Sequence, residues 1–117
     1  TSPQSWADLH GKLADYYDTL RTSLGLDEKH QWNDDTWQIY SLHILYHRLC
    51  QAPQRQLPLA LNEFLVALKE TRKFAQRWAQ TMLGPGKDTD CAEVLRWGEQ
   101  LAEGLTAYDD KRYEITV

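Results

Sequence analysis

One stretch limits what this chain can fold into: Leu57 to Leu83, LPLALNEFLVALKETRKFAQRWAQTML. Apolar residues recur there at Leu57, Leu61, Phe64, Leu68, Ala75, Trp78 and Met82, in alternating steps of four and three that only Thr71 interrupts. That spacing holds side chains on one face of an α-helix. Leu65 and Phe74 widen the face into a stripe fit for a core. At 1.5 Å per residue, a helix over these 27 positions is roughly 40 Å long, the length of a small bundle. The expectation is one long helix around which the rest of the chain is organised.

The flanking sequence reads as further helices. Ser5 is an expected N-cap, and Trp6, Leu9, Leu13, Tyr16, Leu20 and Leu24 form the stripe of a first helix. Gly25 stops it, since glycine takes positive φ freely, and Leu26 folds back onto it. Asp27 to Asp35 is a polar connector, with Asp35 and Gln38 resembling a capping box for a second helix over about Thr36–Gln51. Its core-facing residues are Ile39, Leu42, Leu45, Tyr46 and Leu49, and Ala52-Pro53 ends it. Pro58 fits the first turn of the long third helix, and Gly84-Pro85-Gly86 stops that helix. Asp90 with Glu93 caps a fourth, about Cys91 to Tyr108, with Val94, Leu95, Gly98, Leu101, Ala102, Leu105 and Tyr108 as its stripe. Alternation at Tyr113, Ile115 and Val117 points to an extended C-terminal arm. The expected architecture is therefore all-α: a single helical domain over 1–117, built as an up-down antiparallel four-helix bundle around the third helix.

Charge is segregated along the chain. Residues 1–35 carry seven acids against three bases, residues 36–86 two against six, and residues 87–117 eight against four. A basic middle between acidic ends predicts that acidic helices pack beside the basic one and neutralise it. The two cysteines, Cys50 and Cys91, are far apart and make no C-x-x-C pair, a pattern that favours reduced thiols in a cytoplasmic protein. No apolar run approaches the ~20 residues that span a bilayer, so no membrane association is expected.

Three constellations could carry chemistry. His43, His47 and Cys50 lie at i, i+4 and i+7, a spacing at which imidazole and thiolate could ligate zinc or copper from one helix. One helix seldom supplies three ligands, and no second helix offers a complement, so no metal and no other cofactor is expected. Glu-x-x-His pairs, glycine-rich phosphate loops and nucleophile elbows are missing as well, which leaves catalysis without a motif. On the third helix, Lys69, Lys73 and Arg77 at i, i+4 and i+8, with Arg72 beside them and Arg55 upstream, could track a phosphate backbone. Third, the five tryptophans and six tyrosines exceed what a core of this size readily covers. Trp32, Trp37, Tyr40 and Trp97 are the expected partner-binding residues, because such aromatics concentrate at interface hot spots.

The reading that absorbs most of these features is a non-catalytic helical interaction module, an accessory small subunit of a larger assembly bound to other protein chains. The rival is a small subunit holding RNA or single-stranded DNA along the basic face. In format alone the chain resembles the small helical subunits of ribonucleoprotein effector complexes of the CRISPR type, a likeness that implies fold and not activity. A metal-binding bundle ranks third.

Overall fold

The computed structural model describes the backbone of residues 2–116 and the side chains of residues 2–107. Among the described residues every element is an α-helix: α1 (Pro3–Ser23), α2 (Glu28–Gln31), α3 (Asp35–Gln51), α4 (Pro53–Glu70), α5 (Arg72–Asp88) and α6 (Ala92–Thr116). None of them is long and apolar enough to cross a membrane.

The long third helix of the sequence reading is in fact two. Thr71, where the apolar series lapses, takes extended angles (φ −153°, ψ 116°) and separates α4 from α5. A β-branched residue is at ease in that region. Its N–H still closes α4 on the Ala67 carbonyl (2.8 Å), and its carbonyl accepts the Ala75 N–H that opens α5 (3.1 Å). An unbroken rod would spread one apolar stripe over roughly 40 Å with too few neighbours to cover it. Folded at Thr71, α4 lies back along α5, and the Trp78 indole N–H donates to the Ala60 carbonyl (3.1 Å). Phe64 and Ala67 then share one core with Phe74, Ala75, Trp78 and Met82. The inward face of α4 becomes Leu57, Ala60, Phe64 and Ala67, so Leu65, expected in the core stripe, is 62% exposed. Leu61 and Leu68 pack at the edge of the core.

Several boundaries move for related reasons. Helix α5 runs through Gly84-Pro85-Gly86 because this turn packs on α6: a Cβ on Gly86 would lie 2.6 Å from the Leu95 backbone nitrogen. It ends instead at Asp90, which adopts φ 52°. The bonds Cys91 N–H to Gly86 carbonyl (3.0 Å) and Asp90 N–H to Lys87 carbonyl (3.2 Å) are the 6→1 and 5→2 pair of a Schellman stop. Asp90 thus finishes α5 rather than capping α6. Ser2 caps α1 by accepting the Ser5 N–H (3.1 Å), one turn before the expected start, while Gly25 ends the segment at φ 64° as anticipated. Asp34, not Asp35, caps α3, accepting the Trp37 N–H at 2.8 Å. Ala52-Pro53 closes α3 as expected, but α4 begins at Pro53 itself, leaving Pro58 inside the helix. The backbone of α6 continues to Thr116 where an extended arm was expected. The side chains of Tyr108, Tyr113 and Ile115, and all of Val117, lie outside the described residues.

The up-down order fails at one place. Helix α1 runs antiparallel to α3, since His10 meets His47 and Arg21 meets Ser41. Helices α5 and α6 are likewise antiparallel, with Gly86 against Leu95 and Arg72 bonded to the Leu105 carbonyl. Helices α3 and α5, however, run parallel: Gln38 pairs with Arg77, and Tyr46 with Asp88. The return helix α4 makes this possible by carrying the chain back between them. The result is a row, α1–α3–α5–α6, with α4 packed on one side of its middle. Its extents, 55 × 36 × 17 Å, are those of a flat body about two helices thick. The radius of gyration is 15.2 Å, against about 13 Å for a rounded domain of this length.

Candidate functional site

The side of the row opposite α4 is where the sequence pattern and the packing part company. Helix α1 does not bury its leucine stripe. Its buried residues are His10, Gly11 and Ala14, while Leu9 is 54% and Tyr16 57% exposed. The reason is steric and polar. Ala7, Gly11 and Ala14 make a flat face that lets α1 lie close to α3; a Cβ on Gly11 would already stand 2.6 Å from the Gln51 amide. Around that face, polar groups find partners: Arg21 donates to the Ser41 hydroxyl (3.0 Å) and lies over the Trp37 ring (5.3 Å), and Arg48 pairs with Asp15 (2.7 Å). The leucine stripe, about 140° round the helix from that face, is left outside the interface.

Next to that stripe, Leu13 and its neighbour Tyr17 form one wall of a groove. Leu13 and Tyr17 of α1 face Arg77 and Thr81 of α5 across a floor of Ile39, Leu42, His43 and Tyr46 from α3. The hollow measures about 650 Å³ and is mainly apolar, with Arg77 as its one permanently charged lining residue among the described residues. It opens sideways onto a second hollow between α5 and α6 that adds Lys73, Gln76 and Gln80 to the same wall. The α1 side of this surface is therefore aliphatic and aromatic, and the α5 side basic and amide-bearing. Arg77 is held by the Gln38 side-chain oxygen (2.9 Å) and, more loosely, by the exposed Asp35 (3.5 Å).

At the groove, whose lining includes His47 and Tyr46, a polar cluster joins His47 and Cys50 of the sequence constellation to His10 and Asp88, which no local motif announced. His10 and His47 meet Nδ1 to Nδ1 at 2.8 Å, with the Trp6 ring against His10 at 4.2 Å between centroids. The Tyr46 hydroxyl donates to the Asp88 carboxylate, which together with burial raises the phenol's pKa. Burial lowers the affinity of His10 for a proton, partly offset by Asp88. It does the same to His47, where His10 and His43 add to the effect. The Cys50 thiol is pushed up to about 11 by burial, with Tyr46 acting the other way. These groups sit where α1, α3 and the end of α5 converge, and all their shifts favour uncharged forms.

The expected site residues scatter. Trp37 is buried, with the Trp32 ring edge-on to it at 4.9 Å and Phe74 at 6.0 Å from both, so this pair is core rather than an open patch. Trp97 packs at the core's edge on α6, and Tyr40 lies near Tyr17 at 6.1 Å. The basic row is divided by the break at Thr71: Arg55 and Lys69 belong to α4, and Arg72, Lys73 and Arg77 to α5. Arg72 turns inward to the Leu105 carbonyl (3.1 Å). His43 stacks on Tyr17 (4.3 Å, 8° between planes), His47 faces His10, and Cys50 is buried. Among the described residues no three His, Cys, Asp or Glu side chains form a group that could hold a metal ion. What sequence reasoning missed is the groove. Its signal was present in the small face Ala7, Gly11 and Ala14, which marks where α1 packs better than its leucines do. Compared with known protein families, curated proteins and solved structures, the chain matches none, so a functional reading has to rest on this geometry.

Proposed function

We propose that this chain is a non-catalytic helical interaction module, an accessory subunit that receives an amphipathic helix of a partner protein in the α1–α3–α5 groove. The observation that carries this reading is the exposed part of the apolar stripe of α1, Leu9 and Tyr16, next to a mainly apolar hollow that Leu13 and Tyr17 line. A trough with two helical walls and a helical floor fits a fourth helix, whose anchors would follow i, i+3 or i+4, and i+7. Charge sets its orientation. Among the described residues Lys73 and Arg77 line the α5 wall and no acid lines either hollow, so the partner helix carries its acids on the edge that meets α5. The loose contact of Arg77 with exposed Asp35 is one that an incoming carboxylate can displace.

The test uses two synthetic, conformationally locked amphipathic peptides that share leucine anchors and differ only in having glutamate or lysine along one edge. The glutamate-edged peptide should bind with a roughly micromolar dissociation constant, and the lysine-edged one at least about tenfold more weakly. Leu13→Asp or Ile39→Asp should abolish binding. If neither peptide binds, the reading is wrong. If a single-stranded oligonucleotide binds instead and Lys73→Glu removes it, the basic wall serves nucleic acid.

A further inference from the structure

We infer that the His10–His47 contact is a proton-operated latch, which holds α1 against α3 and so decides whether the groove has its α1 wall. This rests on the docking reading only for its consequence; the latch itself stands on the geometry of the α1–α3 interface.

The argument starts from what holds α1 in place. It packs principally on α3, and the shared hydrophobic core draws its buried members from α3, α4, α5 and α6. From the α1 segment only Leu24, just beyond the helix, packs against that core. The α1 interface instead combines small residues (Gly11 and Ala14) with polar and aromatic contacts, of which the His10–His47 contact depends on protonation state. At its centre two imidazoles meet nitrogen to nitrogen at 2.8 Å. Only one hydrogen fits between them. With no added proton, one ring donates Nδ1–H and the other accepts through a bare Nδ1. With one added proton, the imidazolium still donates to its neutral partner. With two, both nitrogens carry hydrogens and point them at each other, and the contact cannot persist.

The surroundings set the direction. On α3, His43 lies 6.3 Å from His47 between ring centroids, and Tyr46 and Cys50 are kept uncharged. On α5, Asp88 acts on His10 in favour of charge, but its carboxylate already accepts the Tyr46 hydroxyl. On α1, Trp6 covers the His10 ring, and Asp15 is occupied by Arg48. One acid thus faces two imidazoles, enough to assist the first proton and not the second. Both histidines have a proton affinity below the ordinary value of 6.5; release of α1 frees His10 of its burial and relieves His47 of His10, though not of His43. Protons therefore favour the released form: the latch is closed above about pH 6.5 and loosens as the pH falls below that value. Release withdraws Leu13 and Tyr17, and with them one wall of the groove.

The experiment is amide hydrogen exchange on the intact chain between pH 7.5 and 5.5, corrected for intrinsic exchange, beside nitrogen-15 histidine spectra over the same range. Protection of residues 7–21 should fall by at least about tenfold, while residues 74–82 keep theirs. His10 and His47 should titrate as one coupled pair. His47→Gln, which keeps a hydrogen-bonding side chain and removes the titration, should flatten the α1 response. Should that variant misfold, the wild-type spectra decide: independent titration of His10 and His47 near the ordinary value, or pH-independent protection of α1, overturns the latch. The glutamate-edged peptide separates the two proposals. An α1 that opens with acid while no peptide binds at any pH leaves the latch standing without the docking reading. Peptide binding equal at pH 7.5 and 5.5 defeats the latch alone.

Discussion

Replacing Leu9 and Tyr16 together by glutamine tests whether the first helix presents its apolar stripe to solvent. Complete burial of a side chain of this kind stabilises a fold by about 1.5–3 kcal/mol. Leu9 retains 54% and Tyr16 57% of its exposure, so less than half of that is at stake at each position. Glutamine is nearly as good a helix former as leucine and no worse than tyrosine, which adds at most a few tenths of a kcal/mol. The double variant should therefore lose about 1–2 kcal/mol. Leu49→Ala, at 0% exposure, is the internal standard and should cost about 2–5 kcal/mol by leaving a cavity. Urea unfolding followed by tryptophan fluorescence gives both numbers, with an unchanged slope showing that the same surface is exposed on unfolding. A loss of 4 kcal/mol or more in the double variant, or a non-cooperative transition, would falsify the outward placement of the stripe.

Two further predictions concern packing and protonation. Gly86→Ala should destabilise by roughly 2 kcal/mol, because the new methyl meets the Leu95 backbone at 2.6 Å and the overpacking outweighs the gain in helix preference. Gly11→Ala should be nearly neutral, because its clash is with the flexible end of Gln51; thermal melts of the two variants make the comparison. For the cysteines, a colorimetric thiol reagent at pH 7.5 should modify the partly exposed Cys91 readily and Cys50 only when the protein unfolds. Since burial raises the Cys50 thiol to about 11 from 9.0, the unfolded chain loses that proton first. Stability should be full below pH 9 and decline as the pH rises toward 11; Cys50→Ala should remove the part that begins at pH 9 and leave the part that the raised Tyr46 phenol adds above pH 10.

The helical class, the stops at Gly25 and Ala52-Pro53, and the core roles of Phe64, Phe74, Trp78 and Met82 are all legible in local sequence. Each follows from periodicity or from backbone chemistry that acts within a few residues. The lapse at Thr71 was visible too, but not its outcome. A helix breaks there only because α4 and α5 bury more together when folded back than when continuous, and that comparison involves the whole core. The orientation of α1 is a stronger case. Its leucines specify an apolar stripe, yet Ala7, Gly11 and Ala14 allow a closer approach to α3, and Arg21 and His10 find partners only on that side. Tertiary packing thus left the stripe beside a groove, and it brought His10 within 2.8 Å of a residue 37 positions away. Residue spacing encodes neither result, because both depend on which faces of three helices meet.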